Sequence, residues 1–324
     1  MMNTVEINGV AFDKDYIAAL LAKQTQPAES QATISTAFEI YMREHPNAHR
    51  RRFRATAELY YRYFVEMWGD IALDELRHRH ITEYRDKQLS RGLAAASVRK
   101  HCNTLNAILN TAFKHLDIDR LSPFRAVKIR GEHDDEHKIP TITHEKLLAV
   151  KNELLSGGAA YRYVALIQLN TGMRVSEPAQ ARLEDCVLDH DIPHLWVRKN
   201  VLSTRKTRSS IRAVPLVGVS LAAAKCLVDR ANRVGSEWLV PEYANEYGNA
   251  SCSAAINKRL KPYDFRSHMF RHAFVDRLKA CNDIPTKLAE SITGHCNGGS
   301  EFDTYGSVGY TLEQKLAVVS RVAV

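Results

Sequence analysis

Apolar residues recur at helical spacing in four successive stretches between Thr33 and Leu116, and each stretch ends at a breaker. Ile34, Phe38 and Tyr41 form one stripe, stopped by His45-Pro46. Leu59, Tyr60, Tyr63, Phe64 and Met67 form a second, ending at Gly69. Residues 81–89 form a third, closed by Arg91-Gly92, and residues 97–116 a fourth, with Val98, Leu105, Ile108, Leu109, Ala112 and Phe113 along one side. This is the 3.6-residue period of amphipathic helices with their stop signals. Four such helices on short connections bury their stripes against one another, so the pattern predicts a small all-α bundle over residues 31–116. Residues 1–30 are expected to form a loosely ordered arm or a short helix.

The next stretch breaks the period. Residues 117–141 carry Ser122-Pro123, Gly131, a charged run and Ile139-Pro140, a composition that predicts an extended linker. A second domain is expected over residues 142–324, and 324 residues suit two domains. Thr143 is an expected N-cap for a helix through Leu155, and residues 161–170 read as a second, more buried helix. Short strands follow at Cys186-Val187-Leu188 and Leu195-Trp196-Val197, and residues 211–215 read as a hairpin partner. Helices resume at 221–233, 254–260, 268–281 and 284–291, and residues 312–319 make an amphipathic tail helix that docks either on its own chain or on a neighbour. The expected fold is mainly α with a small antiparallel sheet: a helical N-terminal bundle followed by an α+β domain.

The net charge of +8 is unevenly spread. Residues 50–130 hold 17 Lys and Arg against 9 Asp and Glu, an excess equal to that of the whole chain. A contiguous basic face is the electrostatic footprint of a polyanion partner, and Arg50, Arg51, Arg52, Arg54, Arg99 and Lys100 are its candidate phosphate contacts. The six cysteines are scattered and form no CxxC pair, so reduced thiols and a cytoplasmic location are expected. His133 and His137 flank Asp134-Asp135-Glu136 without a further ligand nearby, which reads as a solvated loop rather than a metal site. No cofactor and no metal are expected. Neither a signal peptide nor an apolar run of membrane-spanning length is visible, so no membrane partner is expected.

Three short boxes carry the chemistry. Thr171-Gly172-Met173-Arg174-Val175-Ser176-Glu177 supplies one guanidinium. Ser267-His268-Met269-Phe270-Arg271-His272 supplies a second, with His268 three residues before Arg271 and so on the same helical face. Thr293-Gly294-His295 is followed by Tyr305. A phosphodiester under attack gains charge on its non-bridging oxygens, and two guanidiniums hold those oxygens with paired, directional hydrogen bonds. A phenol with an ordinary pKa of about 10 is a better leaving group than an alkoxide, so a phosphotyrosine link is reversible. Arg174 is also placed to pair with Glu177, three residues on, which would orient it.

In this order, with a strand hairpin between the first two, the boxes resemble those of the tyrosine recombinase family, which includes phage integrases and the Xer recombinases. The resemblance covers the chain from about Thr143 to Tyr305. It implies a tyrosine-recombinase catalytic domain preceded by a helical core-binding domain. It implies Arg174 and Arg271 as phosphate ligands, His268 as acceptor of the Tyr proton, His295 as a hydrogen-bond donor to a phosphate oxygen, and Tyr305 as nucleophile. The family usually places its Tyr nine residues after the His; here Tyr305 stands at ten and Tyr310 at fifteen, so Tyr310 is the rival, with Tyr263 behind it. The family's general acid is a Lys in the β-hairpin, which falls on Lys206; Arg205 and Arg208 beside it become phosphate contacts. His272 is expected on another face of its helix, in a packing role.

The implied function is a site-specific DNA recombinase that integrates or excises a mobile element through a 3′-phosphotyrosyl intermediate. The implied partners are double-stranded DNA, a homotetramer on paired sites and an accessory directionality factor, with a bacterial, nucleoid-associated location. Two alternatives share the fold: a type IB topoisomerase-like relaxer, and a catalytically inactive DNA-binding regulator.

Overall fold

The computed structural model describes residues 4–7, 10–13, 32–132, 142–202, 211–294 and 309–324. The chain divides into two compact units, Met1–Lys138 and Ile139–Val324.

Among the described residues the first unit opens on a hairpin; residues 14–31, the rest of the expected arm or short helix, lie outside them. Strand β1 (Thr4–Ile7) pairs antiparallel with β2 (Val10–Asp13), with Ile7 opposite Val10. The dipeptide Asn8-Gly9 between them is the strongest short-range hairpin signal a sequence carries. Among the described residues four helices follow: α1 (Ile34–Glu44), α2 (Arg51–Trp68), α3 (His78–Ser90) and α4 (Ala95–His115). Thr33 and Thr36 form a capping box at the start of α1. Asp70, just past α2, accepts from Thr33 Oγ1 at 2.9 Å and from the Ser35 amide at 2.8 Å, so one carboxylate locks two helices. Ile34, Phe64, Ile81, Tyr84, Leu105 and Ile108 meet in one core.

The stretch expected to be an extended linker packs in part on this bundle. Phe124, Val127 and Ile129 are buried in the same core. Three arginines of the basic segment hold the stretch down from the polar side. Arg120 Nη1 donates to the Leu73 carbonyl at 2.8 Å, Arg85 Nη1 to the Lys128 carbonyl at 2.8 Å, and Arg99 Nη2 to the Val127 carbonyl at 2.6 Å. Three buried apolar side chains are enough to dock a segment that its proline and glycine keep out of a helix.

The second unit is built on α6 (Ala160–Thr171), which follows α5 (His144–Leu155). Thr143 caps α5 by accepting from the Lys146 amide at 3.2 Å. Every α6 residue from Val164 to Thr171 is buried. A helix end buried on all sides forces its polar members to find partners, and these partners tie the unit together. A one-turn helix α7 (Ser176–Ala179) leads to a three-stranded antiparallel sheet in the order β3 (Cys186–Val187), β4 (His194–Val197), β5 (Arg212–Pro215). Val197 faces Arg212 and His194 faces Pro215 across the ladder. Helices α8 (Val219–Arg233), α9 (Gly248–Leu260), α10 (Ser267–Lys279) and α11 (Thr286–Thr293) complete the core, and α12 (Leu312–Arg321) forms the tail. The tail docks on its own unit: Val318, Val319 and Val322 join the core, and Lys315 Nζ donates to the Ala213 carbonyl on β5 at 3.2 Å. Among the described residues no helix is long and apolar enough to cross a membrane.

Candidate active site

The first box is a helix terminus turned into a platform. Gly172 ends α6 in the left-handed conformation, φ 63°, where glycine carries no steric penalty. A Cβ there would overlap the ring of Phe274, whose Cγ would lie 3.0 Å away. The turn delivers Met173 and Arg174. Gln168 Nε2 donates to the Met173 carbonyl at 3.0 Å, and Gln168 Oε1 accepts from Ser267 Oγ at 3.1 Å. One buried amide therefore sets the first box against the start of α10, which carries the second. Gly172→Ala is expected to lower the melting temperature of the catalytic unit by about 5–15 °C. This combines about 1–2 kcal/mol for the left-handed backbone with about 1–3 for overpacking; differential scanning calorimetry checks it.

Arg174 leaves its side chain 44% exposed while its base is fixed. Its amide donates to Glu177 Oε2 at 2.9 Å and its Nη1 to Glu177 Oε1 at 3.3 Å. Arg271, on α10, is 3% exposed. Its Nη1 donates to the Gly172 carbonyl at 2.9 Å, and its Nη2 has no hydrogen-bond partner among the described residues. Burial pushes this guanidinium down to about 10, with neighbouring Arg174 and Arg212 acting in the same direction and Glu177 opposing them; it stays a cation at neutral pH. A buried charged donor without an acceptor is costly, and an anionic ligand removes that cost.

His268 lies at the exposed start of α10. Partial loss of hydration, then His272, Arg271 and Arg174, hold its imidazole below the ordinary value, so at neutral pH it is an unprotonated ring able to accept a proton. His272 does not point to another face. Its ring lies 4.6 Å from that of His268 in an edge-on arrangement, because residues four apart on a helix stand one above the other.

The sequence reading missed Arg212. It lies on β5 and is 4% exposed. Its Nη2 donates to Glu177 Oε2 at 2.8 Å and its Nη1 to Glu177 Oε1 at 3.3 Å, and its Nε donates to the Ile292 carbonyl at 2.6 Å. Ile292 belongs to α11, whose end is the third box. There Gly294 repeats the geometry of Gly172, with φ 67°. The guanidiniums of Arg174 and Arg212 thus share the carboxylate of Glu177, and Arg271 lies near enough to feel the charge of all three.

The phage integrase family model matches residues 140–308 of the chain, which include all three boxes. The chain belongs to the phage integrase family. No match was found among curated protein sequences. The fold is similar to that of the Tn1549 transposon integrase bound to transposon right-end DNA, at 19% identity and a TM-score of 0.62, covering 89% of this chain and 99% of that one. It is also similar to a lambda integrase tetramer bound to a Holliday junction, at 14% identity and a TM-score of 0.61, covering 91% and 96%. A lambda integrase dimer bound to a COC′ core site aligns at 15% identity and a TM-score of 0.60, covering 91% and 92%. At such identities the likeness is one of fold.

In this phage integrase family member, Arg174, Glu177, His268 and Arg271 come together as the boxes suggest. Lys206, His295 and Tyr305 lie outside the described residues, as do Arg205, Arg208, His133 and His137. Tyr310 is described: it is 36% exposed and precedes Thr311, the N-cap of the docked tail helix. In the first unit, Arg50, Arg51, Arg52 and Arg54 are exposed at the start of α2, and Lys100 is exposed on α4. Arg99 departs from the expectation of a phosphate contact. It is half-buried and closed on Glu132, with Nε 2.5 Å from Oε1. That carboxylate, 33 residues away, is out of reach of any helical pattern.

Proposed function

We propose that the chain is a site-specific DNA recombinase that cleaves and rejoins duplex DNA through a covalent 3′-phosphotyrosyl intermediate. The observation that carries this reading is the pair of buried guanidiniums, Arg212 and Arg271, placed beside Arg174 and Glu177, with the Nη2 of Arg271 without a hydrogen-bond partner among the described residues. Such a cluster is organised in advance for an anion whose charge grows during reaction.

In the proposed reaction the Tyr305 phenol oxygen attacks the scissile phosphorus and its proton passes to His268. Arg174 and Arg271 hold the non-bridging oxygens, and His295 adds a hydrogen bond to one of them. The bond from phosphorus to the 5′ oxygen breaks, and Lys206 supplies the proton that completes the 5′-hydroxyl. The same steps in reverse, with a 5′-hydroxyl from the partner duplex, reseal the strand. No external energy source is consumed, because the bond energy is kept in the phosphotyrosyl link.

The first unit is proposed to grip the duplex. The start of α2 carries Arg50, Arg51, Arg52 and Arg54 with no acidic residue in its first turn. Cations there oppose the helix dipole by about 0.3–1 kcal/mol each, a cost that a phosphate backbone offsets. Lys100, Arg205 and Arg208 are proposed as further phosphate contacts. A homotetramer on paired sites, a Holliday-junction intermediate, an accessory directionality factor and a mobile element as cargo complete the proposal.

The test is strand exchange between two labelled duplexes, each carrying the DNA that flanks the coding region. Recombinant products and four-way junctions are expected. Site-independent relaxation of supercoiled plasmid without exchange would support a topoisomerase instead, and binding without any cleavage would support an inactive regulator.

A further inference from the structure

We propose that Arg212 is a positioning residue of the cleavage reaction, a role that rests on the recombinase reading above. Its guanidinium joins two of the three boxes. On one side it shares Glu177 with Arg174: Oε2 accepts from both the Arg174 amide and Arg212 Nη2, and Oε1 from Nη1 of both residues. On the other side its Nε holds the Ile292 carbonyl, and the Gly294 turn is moulded against it. A Cβ on Gly294 would meet Arg212 Nη1 at 2.7 Å and Cζ at 2.9 Å. The residue after that turn is His295.

The consequence for chemistry concerns Arg174. A carboxylate with its side chain fully buried competes with a phosphate for the guanidinium beside it. Arg212 takes a share of the Glu177 charge, so Glu177 orients Arg174 by its backbone and one nitrogen without drawing it in from its half-exposed position. Three N–H groups aimed at two partners need the planar fork of an arginine; an ammonium offers a point charge in place of it. The strand supplies the rigidity. Arg212 is paired across the ladder with Val197, and the next residue, Ala213, accepts from Lys315 of the tail helix.

The experiment measures single-turnover formation of the covalent adduct on a nicked suicide duplex, at saturating and half-saturating protein. Wild type, Arg212→Lys, Arg212→Met, Glu177→Gln and the double variant Glu177→Gln/Arg212→Met are compared. Duplex affinity by fluorescence anisotropy and a thermal melt accompany each. Arg212→Lys and Arg212→Met are expected to bind the duplex within about twofold of wild type while cleaving roughly 10–100-fold more slowly at saturation, the cost of a misplaced reacting group. In the Glu177→Gln background the Arg212→Met loss is expected to shrink to about threefold or less, because both changes act on Arg174. Equal losses in the two backgrounds overturn the proposal, as does a folded Arg212→Lys that cleaves at the wild-type rate. If Arg212→Met does not fold, Arg212→Lys decides by the same criterion. A wild type that forms no adduct overturns the recombinase reading itself, an outcome distinct from any ranking among the variants.

Discussion

Tyr305→Phe is expected to form no covalent protein–DNA adduct, while Tyr310→Phe forms it at close to the wild-type rate. The phenol oxygen is the bond-forming atom, and phenylalanine has nothing to put in its place. This is the largest effect the account predicts, since the loss is total rather than graded. The choice between the two tyrosines has a structural side. Tyr310 adjoins Thr311, whose capping box with Gln314 starts a helix held to the core by Val318 and Val319 and by the Lys315 bond to β5. A nucleophile at Tyr310 would have to act from the root of that docked helix. Tyr305 lies five residues before Tyr310 and ten after His295. Adduct formation by Tyr305→Phe, together with its loss in Tyr310→Phe, would reverse the assignment.

Arg271→Lys is expected to slow cleavage roughly 10²–10³-fold, the range seen when one oriented donor is taken from an oxyanion site. The size follows from what a lysine has to do in that position. Arg271 already uses Nη1 on the Gly172 carbonyl, and its Nη2, without a partner among the described residues, is the nitrogen proposed to meet the phosphate. A single ammonium serves one of these or the other. If it keeps the carbonyl, the phosphate loses a ligand; if it turns to the phosphate, the left-handed turn that positions Arg174 loses its brace. Binding of the duplex is expected to change far less, because the phosphate contacts proposed for the N-terminal unit would carry most of the affinity. Rate and affinity measured on one suicide duplex separate the two effects, and a proportional loss in both would contradict the assignment.

The helical stripes of the first unit, the buried helix before the first box and the three-strand sheet were all legible, because each rests on a local period or a local breaker. The Arg174–Glu177 pair was legible for the same reason: three residues make one turn. What escaped depends on distance along the chain. Arg212 is 35 residues from Glu177, and on a strand its charge reads as solvated. Its burial is decided by the packing of β5 under α11 and α12, which no window of sequence contains. Arg99 was misread for the same reason, since its partner Glu132 sits in a stretch whose prolines and glycine suggested an extended linker. His272 was misplaced by an angle rather than a distance. Being next to Arg271 hid that it is four residues from His268. The two Thr-Gly steps were noted as motif letters. Their physical content emerged only with the fold: both end a helix in the left-handed conformation and release the chain beside the guanidinium cluster.

The most direct measurement is the identity of the residue that carries the DNA. Wild-type protein trapped on a nicked suicide duplex, digested with nuclease and protease, would be sequenced by tandem mass spectrometry. A single nucleotide-bearing peptide is expected, with the phosphate on the Tyr305 oxygen, joined to the 3′ end of the cut strand, and a free 5′-hydroxyl on the other side. A phosphate found on Tyr310, on a serine or at a 5′ end, or cleaved DNA with no protein attached, would contradict it.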